Sequence, residues 1–206
     1  MNTTFIKTQN YSEREGNQVK AVVIHITDSS ARSTIYEFTN PASKKSAHYL
    51  VKRNGDIIQF VEEKSCAWHA GYKFKQTAKI VLSEGLLLNC NLYTIGIEHE
   101  AFANQDLTEI QYVNSAKLLN EICQRHGIPK DREHILRHNE IRKDKTCPAL
   151  VSVEKLIGLT YNPPTISEIE SIKIKISLLQ KILELLRSLQ SFKKLGKAID
   201  DEKGDL

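Results

Sequence analysis

The order of strands and helices along this sequence is typical of an α/β protein. Residues 19–26 form an almost continuous β-branched run, as a buried strand does. Residues 47–53 and 56–61 flank Asn54-Gly55, the strongest short signal for an antiparallel hairpin. Between Thr108 and Gly127 apolar residues recur at helical spacing, with a capping signal at the start and glycine at the end.

Shorter elements fill the intervals. Residues 31–40 are predicted to form a helix that is capped by Ser29 or Ser30 and ends before Pro41. A last short strand, a loop with His138 and a brief helix follow, at residues 135–136, 137–148 and 153–157. Asn162-Pro163-Pro164 then marks a boundary, because two prolines end any helix there.

Residues 94–100 alternate apolar and polar side chains, as a strand does. Successive side chains of a strand point to opposite faces of its sheet. We therefore expect Glu98 to lie on the face opposite Ile95 and Ile97, together with Gly96 and Glu100.

Composition limits the function classes. The chain has 206 residues, of which 40% are hydrophobic, enough for one substantial core and an appendage. The net charge of +4 suits an acidic partner, but no Lys/Arg-rich block dominates, so nucleic acid is not favoured. The four cysteines lack the paired short spacing of zinc fingers or disulfide scaffolds, and reduced thiols fit synthesis in the cytoplasm.

A polar stretch at residues 137–148 offers His138, Lys145 and Cys147 within a few positions. His25 ends the first buried strand, where sites of α/β proteins gather. A catalytic zinc site uses three such protein ligands and leaves the fourth position open. The alternative is a hydrogen-bonded core histidine, a loop cysteine and a solvated lysine, and spacing alone leaves both interpretations open.

Residues 66–71 contain Trp68, the only tryptophan, next to His69. An aromatic ring and an imidazole on a loop can line a binding cleft. The alternative is that Trp68 fills the edge of the core.

Several motifs together resemble one known family. They are His25-Ile26-Thr27, Ser46-Ala47-His48-Tyr49, Asn54-Gly55, Ala67-Trp68-His69-Ala70-Gly71, Ile95-Gly96-Ile97-Glu98-His99-Glu100, His138 and Lys145-Thr146-Cys147-Pro148. Their order and spacing over about residues 19–160 are similar to those of the zinc-dependent N-acetylmuramoyl-L-alanine amidases of type 2. That family includes AmpD, the bacteriophage T7 lysozyme and the peptidoglycan recognition proteins.

The resemblance implies a mixed central β-sheet flanked by helices, with zinc (Zn2+) held by His25, His138 and Cys147. It also implies hydrolysis of the amide between N-acetylmuramic acid and L-alanine. Cys147 follows the phage and recognition-protein pattern, whereas AmpD-like members tend to carry Asp. Ala47 stands where the phage type has a catalytic Tyr, and here the sequence is AmpD-like.

Roles for other residues follow from the same resemblance. Glu98 matches the acid of the AmpD-like members and is expected to act as general base, and Lys145 to stabilise the oxyanion. The alternatives are a solvated strand carboxylate and a solvent-exposed lysine. Tyr49, Trp68 and His69 are expected to bind substrate, but Tyr49 does not inherit the role of the phage tyrosine, since it follows His48.

Two classes of function remain open at this point. The first is an active amidase, either a cell-wall-lytic enzyme of the endolysin or autolysin type or a cytoplasmic recycling enzyme for soluble anhydro-muropeptides. The second is a non-catalytic peptidoglycan-binding module. The N-terminal residues lack the pattern of a Sec signal and no window has the roughly 18 apolar residues of a membrane span. We expect cytoplasmic synthesis, with action on the cell wall only after lysis or another export route.

The expected domain organisation is an amidase domain at residues 1–162, followed at 163–206 by a linker, a long amphipathic helix and an acidic tail. Residues 166–195 carry two apolar rows, and between 171 and 197 basic residues outnumber acidic ones seven to one. Three interpretations compete: self-association, docking on the amidase domain, and contact with an anionic envelope. Self-association is preferred, since so apolar a helix is hard to keep monomeric.

Overall fold

The protein is described from a computed structural model that covers residues 3–82, 89–163 and 165–203. The chain divides into two compact units, Met1–Pro163 and Pro164–Leu206. In the described part of the first unit the strands are β1 (Thr3–Phe5), β2 (Tyr11–Glu13), β3 (Ala21–Ile26), β4 (Tyr49–Val51), β5 (Ile57–Gln59), β6 (Ser65–Ala67), β7 (Thr94–His99) and β8 (Ile135–Arg137). The helices are α1 (Ala31–Thr39), α2 (Lys79–Leu82), α3 (Glu109–His126), α4 (His138–Ile141), α5 (Val153–Tyr161) and, in the second unit, α6 (Ile166–Lys203).

The central sheet is mixed, and its strand order is β1-β5-β4-β7-β3-β8. The pair β4–β5 is antiparallel, while the other neighbours run parallel. A separate antiparallel pair joins β2 and β6. The expected mixed α/β architecture with flanking helices is therefore confirmed.

Alternation along the strands gives the sheet two different faces. On one face Val22, Ile24 and Ile26 of β3 pack in a core cluster with Leu119 and Ile122 of α3. On the other face Ala21 and Val23 belong to a second cluster, which includes Cys90 and Ile141. Because His25 has the parity of Ala21 and Val23, its side chain lies on this second face. The strand register thus decides which polar side chains meet there.

Most of the expected elements are present. The hairpin turns at Asn54-Gly55, where Gly55 has a φ of +85°, a conformation that favours glycine. Ser30 caps α1, and Thr108 caps α3 through a capping box, with Gly127 at the other end.

Some boundaries differ from the expectation. The stretch after Arg137, expected to be a loop, begins with the short helix α4, and the loop expected at residues 66–71 starts inside β6. α5 extends to Tyr161, beyond the expected Ile157. α6 continues through Lys203, so the residues expected to form an acidic tail are largely helical, and the last three residues lie outside the described part.

Helix α6 presents many exposed apolar side chains within its own unit. They are Ile174, Leu178, Leu179, Ile182, Leu183, Leu185, Leu186 and Leu189. Ile169, Ile172 and Phe192 also belong to the two apolar rows predicted for residues 166–195, but their side chains lie outside the described ones. Within the described residues, no helix combines the length and apolarity needed to cross a membrane.

Candidate metal centre and catalytic cleft

Three side chains from three segments meet at the edge of the sheet. His25 lies near the carboxyl end of β3, His138 begins α4 directly after β8, and Cys147 belongs to the loop beyond α4. β3 and β8 are neighbouring parallel strands, so their carboxyl ends bring the two histidines together. The backbone N–H of Asn139 donates to the carbonyl of Cys147 at 3.0 Å, which holds the cysteine loop against α4.

The spacing of these side chains fits a zinc ion. Nδ1 of His25 lies 3.1 Å from Nδ1 of His138 and 3.8 Å from Sγ of Cys147. Their ligand atoms all lie within 4.8 Å of one another. Around a tetrahedral zinc ion, two nitrogen ligands are about 3.3 Å apart, and a nitrogen and a sulfur about 3.5 Å. The residues present therefore match a metal site with two imidazoles and one thiolate.

Electrostatics keep the two imidazoles unprotonated. Burial, and then the neighbouring His138, lower the pKa of His25 well below its usual range. Burial and the charge of Lys145 lower the pKa of His138 to about 4. For Cys147, burial and the charge of Glu98 raise the pKa of the thiol, while the N–H of Ile26 donates to Sγ at 3.2 Å and favours the thiolate. A bound cation would be needed to keep that thiolate charged near neutral pH.

Glu98 faces the same cleft. Its Cα is paired in register with that of His25 on the neighbouring strand, and its side chain lies opposite Ile95 and Ile97, as predicted. Burial raises its pKa from 4.5 to about 8. Its Oε2 atom is buried, and among the described residues no protein group hydrogen-bonds it. The raised pKa and the unpartnered Oε2 make this carboxyl group a candidate for proton exchange with a molecule in the cleft.

The cleft encloses about 630 Å³ and contains seven of the eight predicted site residues. Besides the three candidate ligands and Glu98, it is lined by Lys145, Trp68 and His69. Lys145 is exposed, and the half-buried Trp68 donates from Nε1 to Oγ of Ser12 at 3.3 Å. Lys44, Lys45 and Arg142 also line the cleft, and Glu37 is there with them.

Tyr49 does not line this cleft, so its predicted contact with substrate is not supported. Its hydroxyl donates to Glu63 Oε1 at 2.7 Å, and its ring packs in the core cluster on the α3 face of the sheet. The reason is strand alternation: His48 and Leu50 point towards the cleft side, so Tyr49 must point away.

His69 lies in the cleft wall, but both of its ring nitrogens are engaged by protein groups. Nδ1 is 3.0 Å from Nε2 of His25, and Nε2 is 3.2 Å from Oγ1 of Thr94. The ring planes of His25 and His69 are nearly perpendicular, at 88°. The imidazole thus contacts a candidate metal ligand directly.

Two polar residues that support the cleft are not among the predicted site residues. Oδ1 of Asn91 accepts hydrogen bonds from three successive backbone N–H groups, those of residues 69, 70 and 71. The buried guanidinium of Arg14 donates to the carbonyls of Asn91, Leu92 and Thr94. Neither has a local sequence signal, since their partners are distant in the chain.

The comparison with protein families decides the family. Residues 15–150 match the model Amidase_2, described as N-acetylmuramoyl-L-alanine amidase. The chain belongs to this family. The resemblance found in the sequence motifs is therefore confirmed, and the match ends before α5 and α6 begin.

Similar curated proteins are named as amidases of muramoyl-L-alanine compounds. The chain is 37% identical over 124 residues to N-acetylmuramoyl-L-alanine amidase A of Achromobacter lyticus, covering 59% of this chain and 60% of that protein. It is 38% identical over 97 residues to the 1,6-anhydro-N-acetylmuramyl-L-alanine amidase AmpD of Haemophilus influenzae, covering 47% of each. The chain thus spans about half to three fifths of the length of these two curated relatives.

A crystal structure of AmpD has the same fold. It superposes with a TM-score of 0.63 at 23% sequence identity, covering 76% of this chain and 93% of that one. At this identity the likeness concerns the fold of the Amidase_2 unit.

Proposed function

We propose that this protein is a zinc-dependent amidase that hydrolyses the amide between N-acetylmuramic acid and L-alanine in peptidoglycan or muropeptides. One observation carries the proposal: His25, His138 and Cys147 form a metal-sized triad in the same cleft as Glu98. The names of the relatives, which are amidases of muramoyl-L-alanine compounds, support the bond that is cut.

Each residue has a role that its surroundings support. When bound, zinc would supply Lewis-acid polarisation of the scissile carbonyl and a water of lowered pKa. Glu98 accepts the water proton and returns it to the leaving amine, for which a pKa of about 8 is suitable. Lys145 places a positive charge beside the carbonyl oxygen as negative charge develops there. Trp68, on the cleft wall, offers an aromatic surface to the substrate.

The charge of the cleft also supports a muropeptide substrate. Lys44, Lys45, Arg142 and Lys145 contribute positive charge to its lining. Lys45 is paired with Glu37 and Arg142 with Asp144, so the paired cations present only part of their charge. Stem peptides carry carboxylates. The four basic side chains of the cleft lining, which we call the basic rim, attract such groups.

Mass spectrometry tests the proposal. Purified polymeric peptidoglycan and a soluble anhydro-muropeptide are incubated with the protein, with and without a chelator. Release of free stem peptide that stops with the chelator and returns with added zinc is the expected result. Binding of either substrate without cleavage by the zinc-loaded protein would favour the non-catalytic module instead.

The same experiment separates the two forms of the enzyme. Cleavage of the polymer supports a cell-wall-lytic enzyme of the endolysin or autolysin type, which is our proposal. Cleavage confined to the soluble muropeptide supports the recycling type, which the 38% identity to AmpD favours.

We also propose that residues 166–195 mediate self-association. The leucines of α6 support this, because they are exposed within the helix's own unit and need a partner surface to leave water. Contact with an anionic envelope is the alternative that its basic side chains favour. In either case residues 1–162 would form the catalytic domain, and residues 163–206 would form the appendage.

A further inference from the structure

A row of polar groups leads from a backbone carbonyl to the metal site. The hydroxyl Oγ1 of Thr94 lies 2.7 Å from the carbonyl oxygen of Cys90 and 3.2 Å from Nε2 of His69. Nδ1 of His69 lies 3.0 Å from Nε2 of His25. The other ring nitrogen of His25, Nδ1, is the one that faces His138 and Cys147.

The proton positions along this row follow from the backbone carbonyl of Cys90, at which the row begins. A carbonyl oxygen can only accept, so the 2.7 Å contact requires that Thr94 donate its single proton to Cys90. Thr94 must then accept from His69, which places the proton of His69 on Nε2. A neutral imidazole has one N–H, so Nδ1 of His69 is an acceptor, and His25 donates to it from Nε2. Nδ1 of His25 is left with a free lone pair.

We propose that His69 and Thr94 are positioning residues that hold the His25 ring in the tautomer whose Nδ1 can bind a metal ion. This inference rests on the proposed metal site, and it gives His69 a different role from the predicted contact with substrate. The partner of a ligating histidine fixes its tautomer and orientation, and losing such a partner typically costs about tenfold to a hundredfold in metal affinity.

The surroundings are shaped to hold the His69 ring. Gly96 lies directly under it: a Cβ added at this glycine would sit 2.5 Å from Cγ of His69, closer than real atoms approach. The backbone of His69 is held by Asn91, whose Oδ1 accepts its N–H at 3.2 Å. Ring and backbone are thus both fixed, which a side chain that only lines a cleft does not require.

The test compares Thr94→Val with Thr94→Ser. Valine keeps the shape of threonine but removes the hydroxyl that accepts from His69, so the Nε2–H tautomer loses this hydrogen bond and keeps only the weaker interaction with the backbone carbonyl of residue 94. Serine keeps the hydroxyl. We expect zinc affinity, measured by competition with a chromophoric chelator, to fall about tenfold to a hundredfold in Thr94→Val and to stay within about twofold of the wild type in Thr94→Ser. His69→Ala, which removes the acceptor of His25 directly, should show the same loss.

Ser115→Ala is the matched control. This buried hydroxyl lies 2.7 Å from Nε2 of His99, and Nδ1 of His99 reaches only the backbone carbonyl of His25, at 2.9 Å. Losing it costs a buried hydrogen bond without touching the His25 ring. Zinc affinity that falls as far in Ser115→Ala as in Thr94→Val would show a general loss of packing and overturn the inference.

Nitrogen-15 NMR of the histidine rings in the metal-free protein gives a readout independent of zinc. The wild type should carry the His25 proton on Nε2, and Thr94→Val should shift part of it to Nδ1. A wild-type proton on Nδ1, or unchanged zinc affinity in both Thr94→Val and His69→Ala, would refute the inference. A wild type that binds no zinc would instead refute the proposed metal site, while the NMR result would still decide the tautomer.

Discussion

Glu63 offers a test of the structure away from the cleft. Its carboxylate accepts hydrogen bonds from the Tyr49 hydroxyl at 2.7 Å, from Nη2 of Arg125 at 2.6 Å and from Nε2 of His126 at 2.7 Å. Burial alone would raise its pKa, but the bonds from Arg125, Tyr49 and His126 outweigh burial and lower the pKa from 4.5 to about 2. The charged carboxylate of Glu63 therefore links Tyr49 of β4 to Arg125 and His126 at the C-terminal end of α3.

The lowered pKa of Glu63 determines both the sign and the size of its contribution to the free energy of unfolding. Unfolded Glu63 takes up its proton near pH 4.5, whereas the folded protein does so only near pH 2. Its contribution to stability is thus complete above pH 4.5 and is lost as the pH falls towards 2. The difference in pKa corresponds to about 3 kcal/mol. Because the Arg125 side chain is 45% exposed, water screens part of its interaction with Glu63, and we expect a contribution to stability of about 2 kcal/mol.

Urea denaturation of Glu63→Gln measures this contribution. At pH 7 the free energy of unfolding should fall by about 2 kcal/mol, and the gap from the wild type should narrow below pH 4.5. Glu62→Gln is the control, since the neighbouring Glu62 is exposed and pairs only with Lys64 on the surface. Equal losses in the two variants, or a gap that does not change with pH, would refute the reasoning. Amidase activity per folded molecule should not change, because Glu63 and Tyr49 lie outside the cleft.

Three further predictions concern the site and α6. The wild type should bind about one zinc ion per chain, and His138→Ala should lose both metal and activity; stoichiometric zinc in the variant would exclude His138 as a ligand. Glu98→Gln should keep the metal but lose about a hundredfold or more in rate, and near-normal turnover would assign the proton transfer to another group. A chain ending at Thr165 should be monomeric by light scattering and still cleave a soluble muropeptide, whereas a full-length protein that is monomeric at micromolar concentration would rule out self-association.

The parts of the site that the sequence predicted are those with a local signal. The alternation of β7 oriented Glu98, and the β-branched run of β3 placed His25 at a strand end. His138 and Cys147 came from ligand chemistry and from the family motif. Tyr49 was assigned to substrate by its place in a motif, although the alternation that oriented Glu98 also turns Tyr49 away from the cleft.

The remaining features have no local sequence signal, and two of them depend on contacts between distant segments. Arg14 and Thr94 are 80 positions apart, and Asn91 meets the loop at residues 69–71 only after the chain has folded. α4 is a four-residue helix, too short for apolar periodicity to show. The extension of α6 beyond Leu195 crosses a glycine and a charged stretch, a composition that is typical of the end of a helix.

The register of β3 against β7 affects which parts of this protein can vary during evolution. His25 and Glu98 are direct neighbours in the hydrogen-bonded ladder, so their separation is set by the spacing of about 4.8 Å between strands. The basic side chains of the rim, by contrast, lie in segments outside the sheet: Lys44 and Lys45 follow α1, and Arg142 follows α4. Under the proposed function, insertions or exchanges in those segments would alter which muropeptides are accepted without moving Glu98 or the candidate metal ligands. Substrate selectivity and the hydrolytic step would therefore depend on different parts of the chain. Exchanging the segments that carry Lys44, Lys45 and Arg142 with those of a relative should transfer that relative's substrate preference, while the turnover of a minimal substrate stays unchanged.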